Sequence, residues 1–257
     1  MADSRLFAVF DLETNGFRGA SVVSASSIVF TGDGGIVDFF NRFYYPEETP
    51  DRRTEAVHGL HLHRIGRFRK EEPYAPHFTS DWRSLAEFWD RYRLDGIVVH
   101  NLSFDISFLP REATRGRKWW CSMRGLADFC RIPGASGREA WKWPRLREAK
   151  SIVEGRIPPP EPLSAAERDV GPPLSHYGLS DCFELLSLFV RIWTAFPQLP
   201  RFRSSHPFYL PPRGQKYPLP ASCLDPFVEE RTRYAIRIAE CAGLAERARL
   251  LRSLLEQ

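Results

Sequence analysis

Two acidic residues, Asp11 and Glu13, lie at the end of the first apolar segment of the chain, in the sequence FDLETNG. The preceding residues 6–10, LFAVF, are typical of a buried central strand. Because side chains alternate between the faces of a strand, both carboxylates project from the same face. Adjacent anions repel each other, and a divalent cation is the most common compensating charge. For this pair alone, two unrelated surface acids are the more frequent explanation.

Two further aspartates lie where a helix turns them towards such a strand. Asp105 follows the apolar segment GIVVH and, on a helix, shares a face with the apolar residues three and four positions later. Stabilisation by the helix dipole explains Asp105 equally well. Asp181 begins the apolar stripe of a predicted helix over 177–194. His176 precedes it by five residues, and such a histidine taken alone is usually structural or exposed.

The combination of these residues predicts a metal site. Four acids at one sheet edge carry a charge of about −4, and sites of this kind bind hard divalent ions such as Mg²⁺ or Mn²⁺. Two ions roughly 3.5–4 Å apart stabilise the attacking and leaving oxygens of a phosphodiester displacement. A histidine, with an ordinary pKa near 6.5, accepts a proton from the attacking water at neutral pH. His176 is the candidate general base.

Three segments, FDLETNG, HNLSFD and HYGLSD, resemble in this order the exonuclease motifs of the DEDDh superfamily. That superfamily includes the proofreading exonucleases of replicative polymerases, ribonuclease T and oligoribonuclease. Its last motif is a histidine and an aspartate separated by four residues, as are His176 and Asp181. TEAVHGL at 54–60 is similar to the segment beside the 3′-terminal nucleotide, and KWPRLREA at 142–149 to the stretch before the final motif. The resemblance covers about 6–194.

The resemblance implies an α/β, ribonuclease H-like fold with a mixed five-stranded sheet, and release of 5′-mononucleotides from the 3′ end of DNA or RNA. It implies two Mg²⁺ ions, with Mn²⁺ as a substitute. Asp11 would touch both ions, Glu13 and Asp181 one of them, and Asp105 the other, partly through water. The residues implied to bind the terminal nucleotides are Leu12, Thr14, Asn15, Gly16, His58, Leu60, Asn101 and Phe104. The superfamily usually has threonine in place of Asn15 and alanine in place of Gly178.

The apolar patterns predict a mixed sheet flanked by helices. Strands are expected over 6–10, 21–30 and 36–45, and the GDGG at 32–35 separates the last two like a hairpin turn. Short connections between them indicate an antiparallel meander. Strands then alternate with helices, at 96–99 and 118–121 for the strands and at about 80–93, 102–110, 123–130, 144–153 and 177–194 for the helices.

Composition divides the chain into three parts. Residues 1–196 are the predicted exonuclease domain, in which the proline-rich insertion 155–174 is predicted as a loop longer than the superfamily usually has there. Residues 197–226 hold eight prolines and form a connector, whose arginines and aromatics either stack on bases or pack against the domain. An amphipathic helical segment, divided by Gly243, occupies 227–257. This segment either folds back on the domain or docks a protein partner or a second copy.

The histidines His58, His61 and His63 fall in a stretch predicted as a loop without acidic or cysteine partners, so zinc is disfavoured. Five cysteines without a CxxC pair are typical of a reducing compartment, and the early acidic residues exclude a signal peptide. No apolar run approaches the roughly 20 residues of a membrane span. A cytoplasmic protein is therefore expected. The net charge of +4 and pI of 8.9 permit a polyanionic partner.

Two other functions stay open at this stage. One is a nucleic-acid-binding module, or an accessory proofreading-type subunit, that keeps the fold with weak catalysis. The other is an endonuclease or transposase-like site on the same fold. The sequence does not distinguish DNA from RNA or single from double strands, because loops outside the motifs choose the substrate.

Overall fold

A mixed five-stranded sheet forms the centre of the structure, a computed structural model that describes residues 3–70, 73–134, 141–214 and 219–256. In the order in which they lie side by side, the strands are β3 (Ile36–Phe43), β2 (Val22–Thr31), β1 (Leu6–Thr14), β4 (Leu94–Val99) and β5 (Trp119–Cys121). The first three pair antiparallel, and β4 pairs parallel with both β1 and β5. The predicted meander is confirmed, as is the α/β, ribonuclease H-like class.

The central strand β1 positions the first two acids. Its residues 7–10 are at most 1% exposed, because the sheet is covered on both faces. Phe7 and Val9 pack in one hydrophobic cluster, while Ala8 and Phe10 pack in the other. Burial of each large side chain contributes roughly 1.5–3 kcal/mol. The strand continues four residues beyond the predicted end, so that its last acids continue the face of Phe7 and Val9.

Helices cover both faces of the sheet. They are α1 (Arg52–His58), α2 (Leu62–Phe68), α3 (Phe78–Asp90), α4 (Leu102–Asp105), α5 (Arg111–Thr114), α6 (Ser122–Gly125), α7 (Ala127–Cys130), α8 (Leu146–Glu154), α9 (Glu161–Val170), α10 (Gly178–Ala195), α11 (Pro226–Cys241) and α12 (Ala245–Ser253), with a 3-10 helix at Ile106–Phe108. α10 lies against β1 and β2 on the face of Phe7, and α3 lies on the opposite face. None of these helices, within the described ranges, combines the length and apolarity needed to cross a membrane.

Two short helices, α1 and α2, replace the loop predicted around the three histidines. Asp51 caps α1 by accepting a hydrogen bond from the backbone N–H of Arg53, and Gly59 ends it with a φ of +72°. These are ordinary start and stop signals for a helix. The loop prediction was wrong because seven-residue helices are too short to show a clear apolar period.

The insertion 155–174 was also predicted as a loop, but it contains α9. Three of its prolines precede the helix and Pro162 occupies its first turn, where no intrahelical N–H is lost, while Pro172 and Pro173 follow its end. The carboxylate of Glu167 accepts hydrogen bonds from Arg191 Nη1 and Nη2 at 2.6 and 2.9 Å, and from Ser187 Oγ at 2.6 Å. The prolines of the insertion therefore flank both ends of a helix that is tied to α10.

The connector is extended and anchored at the sheet. The Phe202 ring lies so close to Gly96 of β4 that a β-carbon there would be 2.2 Å from it. Arg203 exchanges two backbone hydrogen bonds with Trp119, of 2.8 and 2.9 Å. The predicted packing of the connector against the domain is thus observed for this part, while Lys216 and Tyr217, two of its stacking candidates, lie outside the described residues.

The C-terminal segment folds back on the domain, which is one of the two arrangements expected from the sequence. α11 packs on α2, α9 and β3, and Gly243, with a φ of +68°, separates it from α12. The division of the chain at 196 and 226 stays a prediction.

We expect Glu167→Ala to lower the free energy of unfolding by about 2–3 kcal/mol, because the Arg191 side chain, only 6% exposed, would keep its charge without its main partner. Glu161→Ala is the matched control on the same helix, since its side chain is 83% exposed, and should change stability by less than about 0.5 kcal/mol. Urea denaturation measures both. Equal effects would show that α9 is not docked through this pair.

Candidate active site

Three carboxylates meet where β1 ends and α10 begins. Oxygens of Asp11, Glu13 and Asp181 all lie within 4.8 Å of one another. Asp11 and Glu13 share one face of β1, and Asp181 lies in the first turn of the helix that packs on that face. Gly178 permits this approach, since a β-carbon there would lie 2.9 Å from Ser26 Oγ and 3.3 Å from Asp11 Oδ2.

The fourth acid, Asp105, lies beside this cluster without joining it at the same distance. It is 3% exposed, and its Oδ1 accepts a hydrogen bond of 3.3 Å from the backbone N–H of Leu12. The bond ties α4 to β1 between the two strand acids. Asp105 also raises the pKa of both Asp11 and Glu13 by charge repulsion. Asp105 therefore belongs to the same group of mutually repelling carboxylates, although it lies further from the other three.

The pKa values of all four acids are raised. Burial is the largest cause in each, and repulsion among the acids adds to it for Asp11 and Glu13. The pKa of Glu13 rises to about 8, and that of Asp181 to about 7, where Glu184 adds repulsion. Within the described ranges, no lysine, arginine or histidine forms an ion pair with any of the four.

This arrangement fits divalent cations. Two oxygens bound to one Mg²⁺ lie about 3–4 Å apart, so the three clustered carboxylates need only small side-chain movements to share an ion. A cation would remove the repulsion that raises their pKa values. Oxygen ligands without sulfur or imidazole favour Mg²⁺ or Mn²⁺ over softer metals. The residues present therefore suit the ions that the motifs imply.

His176 lies in an exposed turn directly before α10. Its φ of +51° is a left-handed conformation that costs a residue with a β-carbon about 1–2 kcal/mol. The preceding residue, Ser175, is held on both sides. Arg147 donates a short hydrogen bond to its Oγ, and Arg231 Nη2 donates one of 3.3 Å to its carbonyl oxygen. Two arginines thus stabilise the turn that carries the histidine.

Arg231 extends from the C-terminal helix α11 to the site. It is 7% exposed, and its guanidinium lies 3.4 Å from the ring centre of Phe227 and 5.6 Å from that of Tyr177. The Tyr177 hydroxyl in turn donates to the Arg231 carbonyl at 3.3 Å. The positive charge lowers the pKa of Glu13 and Asp181, which opposes the effect of burial. Both neighbours of His176 are therefore attached to this arginine.

Sequence reasoning missed Arg231 and Arg147, although a signal existed for the first. Arg231 lies on the buried stripe of α11 with Val228, Ala235 and Ile238, at spacings of three, seven and ten residues from the first. A cation on an apolar face indicates a buried anionic partner, by the same reasoning that applied to Asp181. Arg147 carries no comparable pattern.

Several of the predicted nucleotide-binding residues have internal partners. The Asn15 side chain, 5% exposed, donates to Glu48 Oε1 at 2.8 Å and accepts from the backbone N–H of Asp51 at 2.8 Å. Thr14 Oγ1 donates to the carbonyl of Gly16 at 2.6 Å. These bonds fix the loop after β1, so the side chain of Asn15 stabilises the loop, and its role towards nucleotides stays a prediction.

The remaining candidates lie on α1 and α4. His58 is 3% exposed, its Nδ1 accepts a hydrogen bond from the Leu60 N–H at 3.0 Å, and burial lowers its pKa to about 4. The positive charge of His61, and less so that of His176, also lowers the pKa of His58. Asn101 has a φ of +73° before α4, and Phe104 is partly exposed against Phe108. Their roles towards nucleotides stay predictions.

A second group of possible metal ligands is formed by His63, Cys223 and Asp225, not by the three histidines together. Asp225 already accepts hydrogen bonds from Arg64 Nε at 2.7 Å and from the Val228 N–H at 3.0 Å. It therefore caps α11 and pairs with an arginine, and the nearby positive charge disfavours a cation.

Comparison with solved structures shows which proteins share this fold. A full-length 3′-exonuclease has a TM-score of 0.52 and 14% identity, with 85% of this chain and 95% of that chain covered. A 3′-exonuclease that recognises the histone mRNA stem-loop has a TM-score of 0.51 and 14% identity, with 86% and 75% covered. Exonuclease I of Methylocaldum szegediense has a TM-score of 0.53 and 13% identity, with 76% and 42% covered.

No family model matches the sequence, and neither does any curated protein. At such low identities the likeness shows a shared fold. The resemblance found in the motifs is confirmed at that level.

Without divalent ions, we expect the melting temperature to fall as the pH rises from about 5 to about 8. The folded chain keeps protons on Glu13 and Asp181 up to about 8 and 7, whereas their ordinary pKa values are 4.5 and 3.8. The stabilisation from these bound protons is complete below the ordinary pKa values and is lost as the pH rises through the raised pKa values. Thermal melts in EDTA measure this slope.

Glu13→Gln should flatten that slope, and Mg²⁺ should reduce it in the original protein. Glu112→Gln, at an exposed position on α5, is the control and should leave it unchanged. If the melting temperature fell equally with pH in the original protein, Glu13→Gln and Glu112→Gln, the repulsion among the carboxylates would be contradicted.

Proposed function

We propose that this protein is a metal-dependent 3′→5′ exonuclease that releases 5′-mononucleotides from DNA or RNA. The observation that supports it best is the cluster of Asp11, Glu13 and Asp181, partly buried, mutually repulsive and without an ion-pair partner in the described chain. The cluster lies on a fold shared with 3′-exonucleases, and the same residues belong to motifs typical of that superfamily.

The proposed metal centre consists of two Mg²⁺ ions, replaceable by Mn²⁺, held by the four acids. Asp11 is central, because its pKa is raised by each of the other three and it therefore lies within the field of all of them. Bound there, the ions would activate the attacking water and stabilise negative charge on the transferred phosphate. Asp105 orients β1 against α4 through the Leu12 N–H, which fixes the acids before any substrate binds.

His176 is the proposed general base. Its side chain is exposed to solvent, while its backbone is held through Ser175 on one side and Tyr177 on the other. Positioning a base in this way contributes to the rate because only a narrow range of geometries allows proton transfer. Arg231 and Arg147 are positioning residues in this scheme.

The proposed partner is a nucleic acid with a free 3′ end. The segments proposed to hold the terminal nucleotides are Leu12 to Gly16, which includes Glu13, the start of α4, which carries Asp105, and Leu60. The cytoplasmic location stays a prediction that rests on the cysteines, all five of which are free thiols. A protein partner for the C-terminal helices also stays a prediction.

The alternative of a binding module without turnover is less consistent with the site. Raised pKa values and unpaired acids destabilise a metal-free protein, and simple binding of a polyanion does not require them. An endonuclease on the same fold is distinguished by products. A 5′-labelled oligonucleotide shortened step by step indicates the exonuclease, and a single internal cut indicates the endonuclease.

We expect Asp11→Asn to reduce kcat by about 10³-fold or more, because the change removes a charged ligand of both proposed ions while preserving the shape of the side chain. Asp128→Asn, at an exposed position on α7, is the control and should retain full activity. The assay is Mg²⁺-dependent shortening of 5′-labelled single-stranded DNA, duplex DNA and RNA. EDTA should abolish it, and an active Asp11→Asn protein would refute the metal site.

We expect Arg231→Gln to reduce kcat by about 10- to 100-fold with little change in KM, because the turn around His176 loses one of its two attachments. Arg231→Lys retains the charge and should recover part of the rate. Arg233→Gln is the control, since Arg233 is exposed and pairs with Glu229 on the surface. Circular dichroism verifies folding, and a folded Arg231→Gln protein with normal kcat would exclude a positioning role.

A further inference from the structure

The connector crosses the molecular surface between the edge strand β5 and the loop after β1. One anchor is the pairing of Arg203 with Trp119, and the other is Leu210, which packs against Gly19 in the loop after β1. Gly19 has a φ of +89°, and a β-carbon there would lie 2.9 Å from Leu210 Cδ2. Residues 204–208 are therefore held between the sheet edge and the loop that follows Glu13.

A groove of about 230 Å³ lies beneath this held segment. Residues 205–208 form one wall, and Leu102 and Ser103 of α4 form the other. Arg18, from the loop after β1, and Arg124, from α6, complete it. Because α4 carries Asp105 and Arg18 lies on the loop that follows Glu13, two of the elements that line the groove also carry residues of the candidate active site.

The groove combines positive charge with exposed aromatic rings. Phe208 is 68% exposed, and the Arg18 guanidinium lies 5.5 Å from its ring centre. Arg124 lies 4.8 Å from the ring centre of Trp143, which is 54% exposed. Among the described residues that line the groove, none is acidic. Exposed aromatics beside arginines are the arrangement that binds single strands, whose bases stack on rings while cations neutralise phosphates.

We propose that this groove binds the nucleotides upstream of the last two at the 3′ end of a single-stranded substrate. A base stacks on Phe208, and the backbone phosphates pair with Arg18 and Arg124. The volume is smaller than the roughly 300–1,000 Å³ of pockets that enclose small ligands, which suits a strand passing through better than an enclosed mononucleotide. A duplex keeps its bases stacked on each other and does not offer them to Phe208. The inference rests on the proposed function for the direction of the strand.

The test compares substrates that do and do not reach the groove. Steady-state hydrolysis of a dinucleotide and of an oligothymidylate of about ten residues is measured with Mg²⁺ for Phe208→Ala and Arg124→Ala. Loss of one stacked base weakens binding by about tenfold, so KM for the long substrate should rise by that factor in Phe208→Ala. Hydrolysis of the dinucleotide should stay unchanged, because it ends before the groove.

Matched controls come from exposed residues that do not line the groove. Phe196→Ala removes a partly exposed ring at the end of α10 that packs on Phe129 and is not among the residues that line the groove. Arg93→Ala removes an exposed arginine before β4, at the end of the sheet opposite Glu13. Neither should change KM for either substrate.

A binding measurement separates failure of this inference from failure of the proposed function. Fluorescence anisotropy of the labelled oligothymidylate, with Ca²⁺ in place of Mg²⁺, should show Kd about tenfold weaker for Phe208→Ala even if the wild-type chain hydrolyses nothing. Identical behaviour of Phe208→Ala and Phe196→Ala in both assays would overturn the groove. So would an equal loss on the dinucleotide, which would mean that Phe208 acts on the carboxylate site itself.

Discussion

The electrostatic repulsion among four carboxylates is the constraint on which the rest of the structure depends. Placing them at the buried end of a sheet costs free energy in the metal-free protein, because each loses water and faces other anions. The cost is tolerated because the flanking packing is extensive. Phe7 and Val9 hold β1 against α10, whose residues from Leu185 to Ile192 are almost completely buried. Burial of apolar side chains in the core thus offsets the free-energy cost of the clustered carboxylates.

The C-terminal segment is part of the arrangement that surrounds the acids. The resemblance to exonucleases ends at about residue 194, yet Arg231 of α11 lies within the electrostatic field of Glu13 and Asp181. The same arginine contacts both neighbours of His176. Together with Arg147 of α8, it provides positive charge on one side of an otherwise anionic cluster. A unit that looks like an appendage in the sequence therefore completes the surroundings of the site.

The central features could be predicted from sequence because they depend on local periodicity. The period of two in β1 places Asp11 and Glu13 on one face, and the apolar stripe of α10 turns Asp181 towards them. The short helices α1 and α2 and the insertion helix α9 were not predicted, since the first two are only seven residues long and α9 is held by contacts with distant residues. Arg231 was missed for the same reason, because its partner Ser175 precedes it by 56 residues.

The pairing of the connector with β5 has a further consequence for the behaviour of the chain in solution. β5 lies at the edge of the sheet, and such a strand offers free backbone groups to any other extended chain. Arg203 occupies the N–H and C=O of Trp119, and Phe202 covers the apolar surface beside it. The connector therefore acts as a guard against self-association through the open sheet edge. A shortened protein that ends before the connector would retain the carboxylates but expose the unpaired backbone groups of β5, and we expect it to aggregate.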